Sequence, residues 1–176
     1  NIVFDTLYIF DVASLYTQDL QEARRHMHGR AGPLPWADTH GLIVGAPVCR
    51  AEVHVPRSQE FDLCEAAQAE ALIESVQPQM VVHCAVDGGG IGYMRKHPGR
   101  IVHRNLLMNT HLLHAAYQGK AELFLGVSSV CAYPRDAEMP LREEALFEGY
   151  PEPSNAGYGL TKRMMMEMGR AYAQEY

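Results

Sequence analysis

The sequence is short of lysine and of positive charge. Its 176 residues carry three lysines, and Lys and Arg together number 15 against 21 Asp and Glu. The net charge is −6 with the nine histidines neutral. Binding a phosphate backbone needs a basic face, so nucleic acid is excluded as the main partner. Long apolar runs are missing as well. None approaches the roughly 18 residues of a membrane span, so no membrane partner is expected. No signal peptide is visible, although the chain starts at Asn1 rather than at Met, as it would if a leader had been removed. Four cysteines (Cys49, Cys64, Cys84 and Cys131) are scattered without a CxxC pair. That excludes a disulfide frame or a zinc ribbon and fits thiols in a reducing, cytoplasmic setting. Internal repeats and low-complexity tracts are also absent. What remains is 47% hydrophobic and 20% charged, enough apolar material for one soluble domain with a sizeable core.

From about residue 50 the pattern becomes regular. "AEVHVP" (51–56) alternates and is β-branched, so it reads as a strand. "DLCEAAQAEALIESV" (62–76) has apolar residues near helical spacing and is closed by Pro78. "MVVHCAV" (80–86) is a continuous apolar run, as in a parallel strand buried on both faces. "HRNLLMNTHLLHAAYQG" (103–119) predicts a helix with Gly119 as C-cap. "AELFLGVSSV" (121–130) predicts a second buried strand, and residues 156–176 a last helix. Strand and helix in alternation predict an α/β fold: a Rossmann-like parallel sheet with flanking helices. Before residue 50 the reading is looser: one or two strands in 1–10, a helix in 12–28, loop in 29–41 and a strand in 42–48. Residues 1–50 are taken as an atypical N-terminal segment, and 51–176 as a partial nucleotide-binding domain.

A nucleotide-binding sheet of this kind wants a glycine-rich turn where pyrophosphate meets the N-terminus of the first helix. None is convincing. "IVGAPV" (43–48) leaves only residues 46–50 before the next strand, too few for a crossover helix. In "GGGIGY" (88–93), Arg95 stands where the last glycine belongs, and the next helix is expected only past Pro98. This stretch reads as a flexible turn at the carboxyl end of a strand, where open α/β sheets line their ligand crevices.

The residue pair that draws attention is Tyr158 and Lys162 in "NAGYGLTK" (155–162). At i and i+4 on a helix both side chains share one face. With nine tyrosines and three lysines, chance alone supplies such a spacing roughly one time in six. The surrounding motifs carry more weight. "VPRSQEFDL" (55–63), "VQPQMVVHCAVDGGGIG" (76–92), "HPGRIVHRNLLMNTHLLHAA" (97–116), "LFLGVSSVCAYP" (123–134) and "PLREEALFEGYPEPSNAGYGLTK" (140–162) follow one another in order. Together residues 52–176 resemble the extended short-chain dehydrogenase/reductase family, and within it the branch of GDP-fucose synthases and nucleotide-sugar epimerases.

That resemblance implies an NADP-dependent nucleotide-sugar epimerase/reductase, with NAD as the alternative cofactor. Tyr158 would be the general acid at a sugar carbonyl oxygen. Lys162 would favour its phenolate and hold the nicotinamide ribose, and Ser129 would hydrogen-bond the same oxygen, with Ser128 as the fallback. A free phenol titrates near 10, so it needs a neighbouring cation to work near neutrality. Cys131 falls where fucose synthases keep a cysteine that moves protons at sugar carbons; its other reading is a buried strand-end thiol. On the cofactor side, Arg57 matches an arginine that meets a 2′-phosphate, or is a solvated loop residue. Asp62 and Leu63 match the adenine contacts, Ala85 the strand-end alanine and Val127 the nicotinamide side. Asn105 matches a helix asparagine near the site, or is a surface amide. Family members dimerise through the helices near 103–118 and 157–176, so a homodimer is implied.

The remaining features read as structural. His103, His111 and His114 share helical spacing, but no carboxylate completes a metal site. Met164 to Met166 and Met168 read as packing. The chain also departs from the family pattern. It lacks the glycine-rich turn and stops at the catalytic helix, before the later strands and the sugar-nucleotide domain. Two further readings follow: a fragment, or a cofactor-free pseudoenzyme serving as a binding or dimerisation module.

Overall fold

A computed structural model of the chain describes residues 54–176. The readings for residues 1–50, including "IVGAPV", lie outside the described residues. In chain order the elements are α1 (Ala66–Val76), β1 (Met80–His83), α2 (Ile91–Lys96), α3 (Pro98–Gln118), β2 (Leu123–Gly126) and α4 (Ala156–Glu175). Two short 3-10 turns, Val130–Ala132 and Glu143–Phe147, lie between β2 and α4. β1 and β2 pair in parallel, from Met80 opposite Leu123 to His83 opposite Gly126. The expected parallel α/β arrangement is therefore present, with two strands among the described residues.

Local chemistry sets the element ends. α1 starts at Ala66, later than the 62–76 pattern suggests. The Asp62 carboxylate accepts the Cys64 N–H at 3.0 Å, and Glu65 is extended, so residues 62–65 form a turn. α1 ends because Gln77 turns left-handed (φ 51°) and caps the Ile73 carbonyl, with Pro78 following. Gly119 caps α3 as expected, but its φ is −74°; the left-handed residue is Lys120. Glycine is needed at 119 for space, since a Cβ there would lie 2.3 Å from the Ile73 side chain.

Four sequence readings are corrected. The 51–56 strand does not reach residues 54–56, which are exposed and outside any strand; residues 51–53 lie outside the described region. β1 is shorter than 80–86 and is buried on one face only. Val81 and His83 point inward, while Met80 and Val82 are 54% and 42% exposed, because no described element covers that side. β2 is likewise four residues rather than ten, since the chain leaves the ladder after Gly126. Finally, a helix does follow the glycine triplet directly. α2 opens at Gly90 and stops at His97, whose φ of −128° reflects the bias against helix before a proline. Pro98 then opens α3 at its first position, where a missing N–H costs nothing.

The core lies between the sheet, α1 and α3. Ala69, Ile73, Val81, Leu112, Leu113, Ala116 and Phe124 form one buried cluster, with Met168 and Tyr172 of α4 packed on its edge. A fully buried Leu or Ile such as Leu113 contributes about 1.5–3 kcal/mol. The small residues of α3 (Ala115 and Ala116) leave room for neighbouring elements, and α4 lies along α3. One buried polar thread crosses this packing. His83 Nε2 pairs with Asn109 Oδ1 at 2.8 Å, and Asn109 Nδ2 donates to the Thr161 carbonyl at 3.1 Å. It ties β1 through α3 to the turn of α4 that carries Lys162.

Candidate active site

The carboxyl ends of β1 and β2 face the N-terminal turns of α4, and the chemistry-bearing residues collect there. After β2 the chain turns at Ser129, whose hydroxyl accepts the Cys131 N–H at 3.2 Å and caps the 3-10 turn. α4 is pressed against this turn. A Cβ on Gly159 would sit 2.0 Å from the Cys131 carbonyl oxygen, so only glycine permits the approach. Arg163, one helical turn on, donates from Nε to the Ala132 carbonyl at 2.6 Å and fixes the turn from the other side. With these two holds just after it, Tyr158 is brought to Ser129 and Cys131.

A cleft of about 320 Å³ opens at this point. Val86, Gly88 and Gly89 line one wall; Cys131, Asn155 and Tyr158 line the other. The glycine turn thus lines a crevice, as the strand-end reading expected. Its position is held by charge. Asp87 accepts from Tyr93 Oη at 2.8 Å and pairs with Arg100 and Arg104 at 3.1 and 3.0 Å. Asn105, fully buried, donates to the Asp87 and Ile101 carbonyls and accepts the Asp87 N–H. The surface-amide reading of Asn105 is therefore corrected. Its amide is spent on the loop, and it shapes the site through Asp87.

The electrostatics of the pair differ from expectation in one respect. Burial pushes the Tyr158 phenol upward, negative charge on Cys131 pushes the same way, and a hydrogen bond with Ser129 pulls it down. Lys162 was expected to lower it. Here the ammonium lies over the phenol ring, 5.9 Å from the centroid, and burial outweighs it. Lys162 is only 2% exposed, and burial brings its amine down from 10.5 to about 8.

The other predicted residues fall in two groups. Ala85 and Val127 are half-buried at the strand ends, with the Val127 N–H donating to the His83 carbonyl at 3.1 Å. Arg57, Asp62 and Leu63 are not among the cleft's lining, and Asp62 and Leu63 lie near α1 and α3. Arg57 is an exposed turn residue. Asp62 pairs with Arg104 at 3.3 Å, and the Cys64 N–H holds its carboxyl below the usual value. Leu63 packs on the core cluster. Ser128 is buried with its hydroxyl 4.0 Å from the Met166 sulfur, so Ser129 is the serine at Tyr158. His111 meets the Leu63 carbonyl and His114 the Tyr172 hydroxyl, so the helical histidines have separate partners. Met165 and Met166 are buried, whereas Met164 is 56% exposed. Asn155 and Asp87 were not singled out from sequence. Asn155 carried a signal all the same, standing three residues before Tyr158 at a helix start.

A protein-family model for the "NAD dependent epimerase/dehydratase family" matches residues 37–176. The chain belongs to this family. Among curated relatives of the epimerase family, a GDP-L-fucose synthase of Sinorhizobium fredii is 30% identical over 147 residues, covering 80% of this chain and 47% of that protein. The GDP-L-fucose synthase of Escherichia coli is 26% identical, covering 78% and 45%. A GDP-L-fucose synthetase from Naegleria fowleri, solved with NADP bound, superposes at a TM-score of 0.62 with 29% identity, over 68% of this chain and 35% of that one. The chain thus spans less than half the length of these relatives. Among the described residues, no helix is long and apolar enough to cross a membrane.

Proposed function

We propose that this chain carries the acid–base site of an NADP-dependent nucleotide-sugar epimerase/reductase of the GDP-L-fucose synthase kind, acting on GDP-4-keto-6-deoxymannose. The observation that carries the reading is that Cys131 and Tyr158 line one cleft, with Ser129 beside Tyr158 and the buried Lys162 ammonium over the Tyr158 ring. The nicotinamide end of the cofactor fits the residues here. Lys162 is a buried cation over the Tyr158 ring, from where its N–H donors would meet ribose hydroxyls. Ala85 and Val127 offer small apolar surface at the strand ends. When bound, the cofactor supplies the hydride.

The residues supply the rest. Ser129 and Tyr158 hold the C4 carbonyl oxygen of the sugar between their two hydroxyls. Tyr158 delivers the proton to that oxygen as negative charge develops on it. The Lys162 ammonium stabilises the phenolate left behind. Cys131 moves protons at the carbons beside the carbonyl, where a ketone makes the C–H acidic. The glycine wall lets a ligand approach the backbone without a side chain in the way. Exposed Leu160 and Met164 on α4 support the homodimer through α3 and α4. In an assay following NADPH oxidation with GDP-4-keto-6-deoxymannose, turnover is expected to fall at least about 100-fold in Tyr158→Phe. Turnover by Tyr158→Phe at the parent rate would rule the role out. Absence of any turnover or NADPH binding by the parent would favour the pseudoenzyme reading.

A further inference from the structure

The start of α4 contains an asparagine that does not do what its position suggests. Asn155 is the N-cap of the helix, a place where asparagine normally accepts a hydrogen bond from a backbone N–H one turn on. Here the side chain makes no such bond. Its Nδ2 instead points at the Cys131 sulfur, 3.2 Å away, and its Oδ1 is buried without a partner among the described residues. An unpaired buried carbonyl oxygen is a cost that native structures seldom carry without a reason. Both residues line the cleft, together with Tyr158.

We propose that Asn155 is a positioning residue for Cys131. Its amide fixes the sulfur toward the cleft and pairs with it in either protonation state. With a thiolate, the amide N–H donates to sulfur, as the structure has it. With a thiol, a half-turn of the amide places Oδ1 to accept the S–H. The proton itself moves between Cys131 and the substrate carbon, and Asn155 neither gains nor loses one. Aspartate would cap the helix at least as well, yet it lacks the N–H and would repel a thiolate. The choice of asparagine therefore follows the sulfur, not the helix. The other titratable group at the sulfur is Tyr158, whose phenol responds to charge on Cys131. This deepens the proposed function and rests on it for the use made of Cys131, but the pairing itself needs neither cofactor nor sugar.

The test is alkylation of the full chain by iodoacetamide, with each cysteine followed by peptide mass spectrometry. Cys64, buried and pushed up to about 11 by that burial, serves as a slow internal reference, and Cys84 as a reference outside the cleft. At pH 7.5 the Cys131 rate is expected to fall about five-fold in Asn155→Ala and further in Asn155→Asp. The parent's advantage over Asn155→Ala should persist across the pH profile, since the amide pairs with the sulfur in either protonation state. Melting temperatures are expected to stay close to the parent, since no cap bond is lost, and the Cys84 rate should not change. Parent-like Cys131 rates and pH profiles in both variants would overturn the proposal. So would equal slowing of Cys84, which would mark a structural effect. NADPH titration of the same samples keeps the two claims apart. Slowed alkylation without cofactor binding upholds the Asn155 role and removes the proposed function.

Discussion

Replacing Lys162 by methionine should make the protein more stable while removing a group the site uses. The reasoning starts from burial. Lys162 is 2% exposed, its ammonium has no carboxylate beside it among the described ion pairs, and its amine falls from 10.5 to about 8. A base held below its unfolded value destabilises the fold while it is charged. Between about pH 8 and 10.5 the unfolded chain keeps the proton and the folded chain does not, so stability rises with pH across that window. Below pH 8 the full cost remains. The drop from 10.5 to about 8 corresponds to about 3 kcal/mol. Methionine has nearly the same length and no charge, so Lys162→Met should recover most of that at pH 7. Urea denaturation at pH 7 and pH 10 measures it. With a slope of about 2 kcal/mol per molar urea, the variant midpoint should lie about 1 M above the parent at pH 7. The gap should shrink toward pH 10. Groups that do not feel the Lys162 charge are common to both proteins and cancel in the difference, and His83, which does feel it, is neutral in the folded parent across pH 7 to 10. A variant less stable than the parent at pH 7, or a gap that does not depend on pH, would refute the burial argument.

Other outcomes follow from the same geometry. Burial and the nearby Lys162 charge hold His83 neutral, down from 6.5 to about 4, so the parent should lose about 3 kcal/mol as pH falls through that window. His83→Gln, which keeps a donor for Asn109, should flatten that acid limb in melts between pH 7 and 4. Gly159→Ala forces a Cβ against the Cys131 carbonyl and should cost about 1–3 kcal/mol in thermal melts, with Tyr158 displaced from Ser129 in a crystal structure. An unchanged melting temperature would count against the close approach. Asp87→Asn weakens the hold on Tyr93, Arg100 and Arg104. Faster amide hydrogen exchange at Gly88–Gly90 is expected, and unchanged exchange would mean that Asn105 alone holds the turn.

The parts of the fold that the sequence made legible were those with strong local signals. α4 could be read because its pattern continues over the whole element and Tyr158 and Lys162 open it. The centres of β1 and β2 could be read from short apolar runs, but not their ends, since apolarity does not stop where the ladder does. α2 was hidden because a glycine triplet and a nearby proline both read as loop, although Gly90 caps α2 and Pro98 is the first residue of α3. The one-sided burial of β1 depends on which element lies over it, which no local pattern reports. In the site, Ser129, Cys131, Tyr158 and Lys162 were named together and the fold brings them together. The Asp87 hub was missed because its partners, Arg100 and Arg104, meet it only once α3 packs beside the loop. Asn155 was missed because an asparagine at a helix start already has an ordinary explanation.

The most direct measurement of the central claim is isothermal titration of NADPH and NADH into the parent and Lys162→Ala. The account predicts micromolar NADPH binding by the parent, tighter than NADH, and loss of that binding in the variant. Equal binding by both proteins would contradict the placement of the nicotinamide ribose at Lys162, and no binding by the parent would contradict the cofactor site itself.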